Sequence, residues 1–114
     1  MSLASAALRH DRPSPRIRSQ QRARGLLTAT EALERAALVL FNALPTHRRG
    51  KAVERAMGEL HELTERADTH RRRANEAHDA GNAAGARQHT RELQRVVASA
   101  RTRVGVLVRA TGRV

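Results

Sequence analysis

Arginine recurs through the C-terminal third of the sequence at spacings that suit a helix. Seven arginines follow residue 81, with one acid, Glu92, among them. At about 100° per residue, six of the seven fall within roughly 120° of one another, nearly opposite an apolar seam centred near Ala100. These six, the arginine stripe, are Arg87, Arg91, Arg95, Arg101, Arg109 and Arg113, whereas Arg103 lies off this face. Guanidinium groups bind phosphate through charge and paired N–H donors, so the stripe predicts a surface that follows a nucleic-acid backbone. The alternative is a solvated helix face in an arginine-rich protein.

A second group of cations follows Pro45. This corner cluster consists of His47, Arg48, Arg49 and Lys51. The unpaired N–H groups at the start of a helix favour anions, and cations placed there cost helix stability unless an anion is bound. The cluster therefore indicates a phosphate site, with an ordinary basic loop as the alternative.

Residue patterns typical of enzymes are incomplete in this sequence. The segment "HELTE" at 61–65 has Glu65 where a zinc protease motif needs a second histidine. His70 and His78 are about 12 Å apart along a helix, too far to share a metal. The chain has no cysteine and no P-loop or nucleophile elbow. We therefore expect no catalytic residue, metal site or cofactor, and a protein that is not an enzyme.

Composition narrows the kind of contact that this chain can make. The net charge is +11, from 22 basic and 11 acidic residues, which favours nucleic acid or an acidic protein as the partner. With one Phe and no Tyr or Trp, the chain lacks the aromatic side chains on which single-stranded bases stack. Contacts to nucleic acid are therefore expected at phosphates, with little reading of base sequence.

Periodicity and turn residues predict an all-α fold with three helices, at about 26–44, 47–80 and 83–110. Pro45 ends the first helix, and Gly81 suits the left-handed position after the second. We predict a long antiparallel hairpin of the last two helices plus a shorter N-terminal helix, forming a bundle domain over 26–114. Residues 1–25 are rich in Arg, Ser and Pro and are predicted to be a disordered basic arm, with a targeting segment as the alternative.

Membrane insertion is not expected, because the longest apolar run, 36–41, is far too short to span a bilayer. A cytoplasmic protein is therefore predicted. Within the first helix, apolar side chains lie off the main buried face. These are Leu27, Leu38, Val39 and Phe41. They indicate a homo-oligomer interface, because a three-helix bundle buries one face of each helix; scattered exposed apolar residues are the alternative.

The stretch "LFNALPTHRRGKAVERAMGELHELTERA" resembles the four-helix-bundle family that includes the accessory variability determinant of diversity-generating retroelements and proteins encoded in ribosomal RNA intervening sequences. The matching features are an apolar helix, a Pro-plus-basic corner and a long helix with a leucine stripe. The positions that carry them are Leu40, Leu44, Pro45, Arg48, Arg49, Val53, Leu60 and Leu63, with Leu93 and Arg101 in the third helix. The chain departs from the family in ending after its third helix. The resemblance implies a basic, ring-like homo-oligomer that binds a reverse transcriptase and its template RNA, and so favours RNA over DNA.

Two functions therefore follow from the sequence. The first is a non-catalytic nucleic-acid-binding accessory protein of bacterial or phage type, which uses the arginine stripe and the corner cluster. The second is a helical adaptor or structural subunit, of a phage particle for example, whose arginines bind acidic protein.

Overall fold

The computed structural model describes residues 14–112 of the chain. Within these residues three α-helices follow one another: α1 Pro15–Ala43, α2 Lys51–Asp79 and α3 Ala83–Gly112, with a 3-10 turn Thr46–Arg48 between α1 and α2. The predicted all-α bundle is confirmed. The first helix is not the shorter one that we expected, since it has 29 residues, as many as α2.

The first helix begins within the predicted arm. Ser14 caps α1 by accepting a hydrogen bond from the Ile17 N–H at 3.2 Å, and Pro15 occupies the first turn, where a missing N–H costs nothing. Ala23 is fully buried, so this part of α1 packs against the bundle. The boundary near residue 25 is therefore wrong for residues 15–25, and residues 1–13 lie outside the described part of the chain.

Both connections between helices use the residues that the sequence singled out. Leu44 has extended backbone before Pro45 and ends α1. Gly81 has φ +74°, the left-handed conformation that glycine tolerates best. Asn82 caps α3, since its Oδ1 accepts a hydrogen bond from the Gly85 N–H at 2.9 Å. Thr46 begins the 3-10 turn, and Gly50 stands at the N-cap of α2.

The core is formed along one seam of each helix and is rich in alanine. Within residues 14–112, seven of the fifteen buried apolar residues are alanines, so the helices approach each other closely. The largest fully buried apolar side chains are Leu60, Leu93 and Leu107. Thr30 is also fully buried, and its hydroxyl donates to the Leu26 carbonyl at 2.9 Å, which satisfies it without a partner on another helix.

Contacts between the helices show in which direction each runs relative to the others. The ion pair between Arg16 and Asp79 and the contact between His61 Nδ1 and Glu34 Oε2 show that α1 and α2 are antiparallel. The ion pair between Arg103 and Glu59 and the contact between His70 and His89 make α2 and α3 antiparallel. It follows that α1 and α3 run parallel, with both helices beginning at the same end of the bundle.

Candidate nucleic-acid interface

A groove of about 430 Å³ runs between α1 and α3 and is lined by arginines from both helices. Arg18 and Arg22 stand on the α1 side, and Arg87 and Arg91 stand on the α3 side. The remaining lining residues are Ser19, Thr90 and Gln94, which are polar and uncharged. All four arginines are exposed. We call this the basic groove.

The spacing within the basic groove follows from helix geometry. Arg18 and Arg22 are four residues apart on α1, as are Arg87 and Arg91 on α3, so each pair lies on one helix face about 6 Å apart along the axis. No Asp or Glu among the described residues lines this groove. Since no described residue of the lining neutralises the cations, the groove concentrates positive potential between its walls.

A smaller cleft continues the basic groove toward the start of α1 and α3. It shares Ser19 and Arg87 with the groove and adds Arg16 and His78. His78 Nε2 lies 2.7 Å from the Ser19 hydroxyl, and Arg16 pairs with Asp79. The hydrogen-bonding groups at this end are therefore partly engaged in holding α1 against the end of α2.

The other two grooves of the bundle carry both signs of charge. Between α1 and α2, one groove is lined by Glu31, Glu65, Asp68 and Arg72 among others, with Arg72 Nε 3.3 Å from Asp68. Between α2 and α3, Arg103 donates from Nε to Glu59 Oε2 at 2.7 Å. In both grooves the acids neutralise neighbouring arginines, so neither presents a surface of one sign.

The rest of the arginine stripe is accessible but less uniform. Arg95, Arg101 and Arg109 are exposed on α3, and Arg95 pairs with Glu92 at 2.7 Å. Arg113 lies outside the described residues. The structure thus brings Arg87 and Arg91 together with arginines of α1, whereas Arg95 has an acidic partner on its own helix.

The corner cluster does not act as one group. Arg49 is half-buried: its Nε donates to the Leu44 carbonyl at 3.0 Å and its guanidinium lies 4.4 Å from the centre of the Phe41 ring. Arg49 therefore closes the corner by a cation–π contact and a hydrogen bond. His47, Arg48 and Lys51 are exposed around this turn.

The residues predicted to form an oligomer interface are divided between two environments. Leu38 and Val39 are 47% and 69% exposed. Leu27 and Phe41 are half-buried and pack against the core. The unsatisfied apolar surface of α1 is therefore limited to Leu38 and Val39 among these four.

A pair of histidines joins α2 to α3, a contact that sequence reasoning missed. His70 Nδ1 lies 3.0 Å from His89 Nδ1, and the rings are tilted with centroids 5.2 Å apart. Burial lowers the pKa of His70 below its ordinary value of 6.5, and the neighbouring His89 lowers it further. A neutral His70 therefore suits this contact, since one of the two Nδ1 atoms must be unprotonated to accept a hydrogen bond from the other.

Sequence reasoning also missed Arg18 and Arg22, because residues 1–25 were assigned to a disordered arm. Two signals were available. Ser14-Pro15 is a typical helix start, and arginines four apart lie on one helix face. The juxtaposition with Arg87 and Arg91, however, is a tertiary contact that spacing along the chain does not reveal.

Residues 14–112 contain no group of three or more His, Asp or Glu side chains placed to hold a metal ion. None of the helices described has both the length and the apolar character needed to cross a membrane.

Comparisons of the chain with protein-family models, with curated proteins and with solved structures found no match.

Proposed function

We propose that this protein is a non-catalytic, nucleic-acid-binding accessory protein whose principal contact surface is the basic groove. The observation that carries the proposal is the meeting of Arg18, Arg22, Arg87 and Arg91 in one groove whose described lining contains no acid. A helix face that is merely solvated gains from mixed signs, because unpaired like charges repel in the folded state. A groove of one sign is favourable when a polyanion neutralises it.

The chemistry of the lining sets the mode of binding. Arginine forks bind phosphate oxygens, and the described residues of the lining include no aromatic side chain for base stacking. Binding is therefore directed to the backbone, depends strongly on salt and discriminates little between sequences. RNA as the natural ligand, and a reverse transcriptase as a protein partner, are proposed on the resemblance to the retroelement accessory family.

Binding of fluorescently labelled RNA and duplex DNA, followed by anisotropy across a salt series, tests this function. We expect micromolar or tighter binding and a log–log salt slope of about −4 or steeper, because each neutralised phosphate releases counterions. Absence of binding to either nucleic acid at low salt would reject the proposal.

Self-association is a second part of the proposal. Leu38 and Val39 are neighbours near the C-terminal end of α1 and expose apolar surface there. Burying that surface against a second copy is favourable by about 25 cal/mol per Å² removed from water. Sedimentation velocity should show a species larger than a monomer that the L38Q/V39Q variant reduces to monomer, whereas a monomeric parent protein would contradict this part.

The adaptor function is the alternative. In that case the exposed residues of α1 contact another protein, and the arginines of the basic groove meet acidic side chains. Binding to an acidic polypeptide such as polyglutamate, without binding to nucleic acid, would favour it.

A further inference from the structure

The basic groove has two walls, and both carry cations. Arg18 and Arg22 project from α1, while Arg87 and Arg91 project from α3. Packed helices have axes about 8–10 Å apart, so the four guanidinium groups flank a narrow channel. This arrangement differs from a flat basic face, on which all the cations point the same way.

Helix axes about 8–10 Å apart leave a space between the two rows of arginines that suits one nucleic-acid strand better than a duplex. A duplex has a convex surface and is wider than the separation of two packed helices, so it meets only the outer ends of the arginines. A single strand fits between the walls, where its phosphates receive guanidinium groups from both sides. Along the channel, the step of about 6 Å between Arg18 and Arg22, and between Arg87 and Arg91, is comparable with the separation of successive phosphates in one strand.

The uncharged lining suits the same ligand. Ser19, Thr90 and Gln94 offer hydroxyl and amide groups along the channel. The Thr90 hydroxyl donates to the Ala86 carbonyl at 3.0 Å, so its lone pairs remain as acceptors. Such groups bind sugar hydroxyls and base edges without selecting a sequence.

We infer that the basic groove binds the backbone of a single nucleic-acid strand, with the phosphates held between Arg18 and Arg22 of α1 and Arg87 and Arg91 of α3. The inference rests on the proposed function and narrows its ligand from nucleic acid in general to single strands. Duplexes bind more weakly, through the outer arginines of α3.

The test compares two labelled ligands of equal length with the full chain. One is an oligouridylate of about 16 nucleotides, which has no internal pairing and matches the larger site sizes known for single-strand grooves. The other is a blunt RNA duplex of the same length. By anisotropy we expect the single strand to bind at least about tenfold more tightly, a difference of about 1.4 kcal/mol.

Variants of each wall then locate the binding surface. R18Q/R22Q and R87Q/R91Q should each weaken binding to the single strand and make its log–log salt slope shallower by about 1.4, because each lost phosphate contact contributes roughly 0.7. The matched control is R66Q/R73Q, which removes the same charge from exposed positions on α2 outside the basic groove. The control should leave the slope nearly unchanged. Far-UV circular dichroism confirms that each variant remains helical.

The possible outcomes distinguish single-strand binding in the basic groove from nucleic-acid binding in general. Equal or tighter binding of the duplex, or equal losses in the wall variants and the α2 control, would overturn the single-strand groove while leaving nucleic-acid binding in place. Binding to neither ligand would overturn both. Loss in R87Q/R91Q but not in R18Q/R22Q would also overturn the inference, because it would mean that only the α3 wall is used.

Discussion

The grooves on either side of α1 share one wall and differ in charge. Toward α2, Glu31, Glu65 and Asp68 stand near arginines, and ion pairs form within α2. Toward α3, the described lining carries Arg18, Arg22, Arg87 and Arg91 with no acid among them. Because these grooves belong to the same small bundle, an overall excess of arginine does not explain the difference. It lies in where the acids are placed.

The arginines of this bundle stand in two different electrostatic environments. In the mixed grooves, arginine lies beside acids of the bundle, as Arg103 does with Glu59, and contributes at most about 1 kcal/mol per exposed pair to folding. In the basic groove, like charges face one another and oppose folding. We propose that a groove of that kind binds an anion, and pairs of variants with equal net charge test whether the placement of the charges matters.

The largest effect on binding is expected when acids are introduced into the basic groove, so that its charge is mixed like that of the groove between α1 and α2. R22E/R91E places one acid on each wall beside Arg18 and Arg87. We expect the Kd for oligouridylate to rise by roughly 100-fold, since two charge-assisted contacts of about 1.5 kcal/mol each are lost. Anisotropy at fixed salt measures the change.

R66E/R73E is the matched control, because it makes the same change in net charge on α2. If the control weakens binding as much as R22E/R91E does, net charge alone governs binding and the contrast between the grooves has no functional meaning. Thermal unfolding adds a second criterion: R22E/R91E should retain or gain stability at low salt, because it replaces repulsion with attraction.

A smaller effect is expected from pH at the contact between α2 and α3. The pKa of His70 is lowered in the folded protein, chiefly by burial and then by His89, so the unfolded chain takes up a proton at a higher pH than the folded chain does. The stability contributed by neutral His70 is complete above pH 6.5 and is lost as the pH falls below that value. Unfolding temperatures of the parent protein should therefore drop between neutral and mildly acidic pH.

The variant H70Q isolates this contribution, since glutamine has no proton to gain in that range. Its unfolding temperature should depend less on pH than that of the parent protein over the same interval. His89 lies 3.0 Å from His70, and Glu92, Arg73 and Arg66 also act on it electrostatically; all four remain in the variant. An unchanged pH dependence in H70Q would mean that His70 does not account for the effect.

The course of the chain could be predicted from local signals wherever a proline or a glycine has a distinctive backbone preference. Pro45 and Gly81 mark both ends of α2 to within a few residues, and the apolar periodicity of α2 and α3 identifies their buried faces. The start of α1 could not be predicted from apolar content, because residues 15–25 are mostly polar. Ser14 and Pro15 start the helix here, and the buried Ala23 packs it against the bundle. The contact between Ser19 and His78 also holds it in place, and spacing along the chain does not reveal that contact.

The candidate site was predicted only in part for the same reason. The arginine stripe locates one wall, since it belongs to a single helix. The second wall depends on which face of α1 packs beside α3, and the role of Arg49 depends on the position of Phe41. Both are properties of packing rather than of spacing along the sequence.

Because α1 and α3 run parallel, the two ends of the basic groove differ in their electrostatic environment. Each helix has a dipole with its positive end at the N-terminus, and the dipoles of α1 and α3 add along the groove that they share. In the other two grooves the flanking helices are antiparallel, so their dipoles largely cancel. The free N–H groups that begin α1 and α3 therefore lie together at the end of the basic groove where Arg18 and Arg87 stand, and they add partial positive charge there.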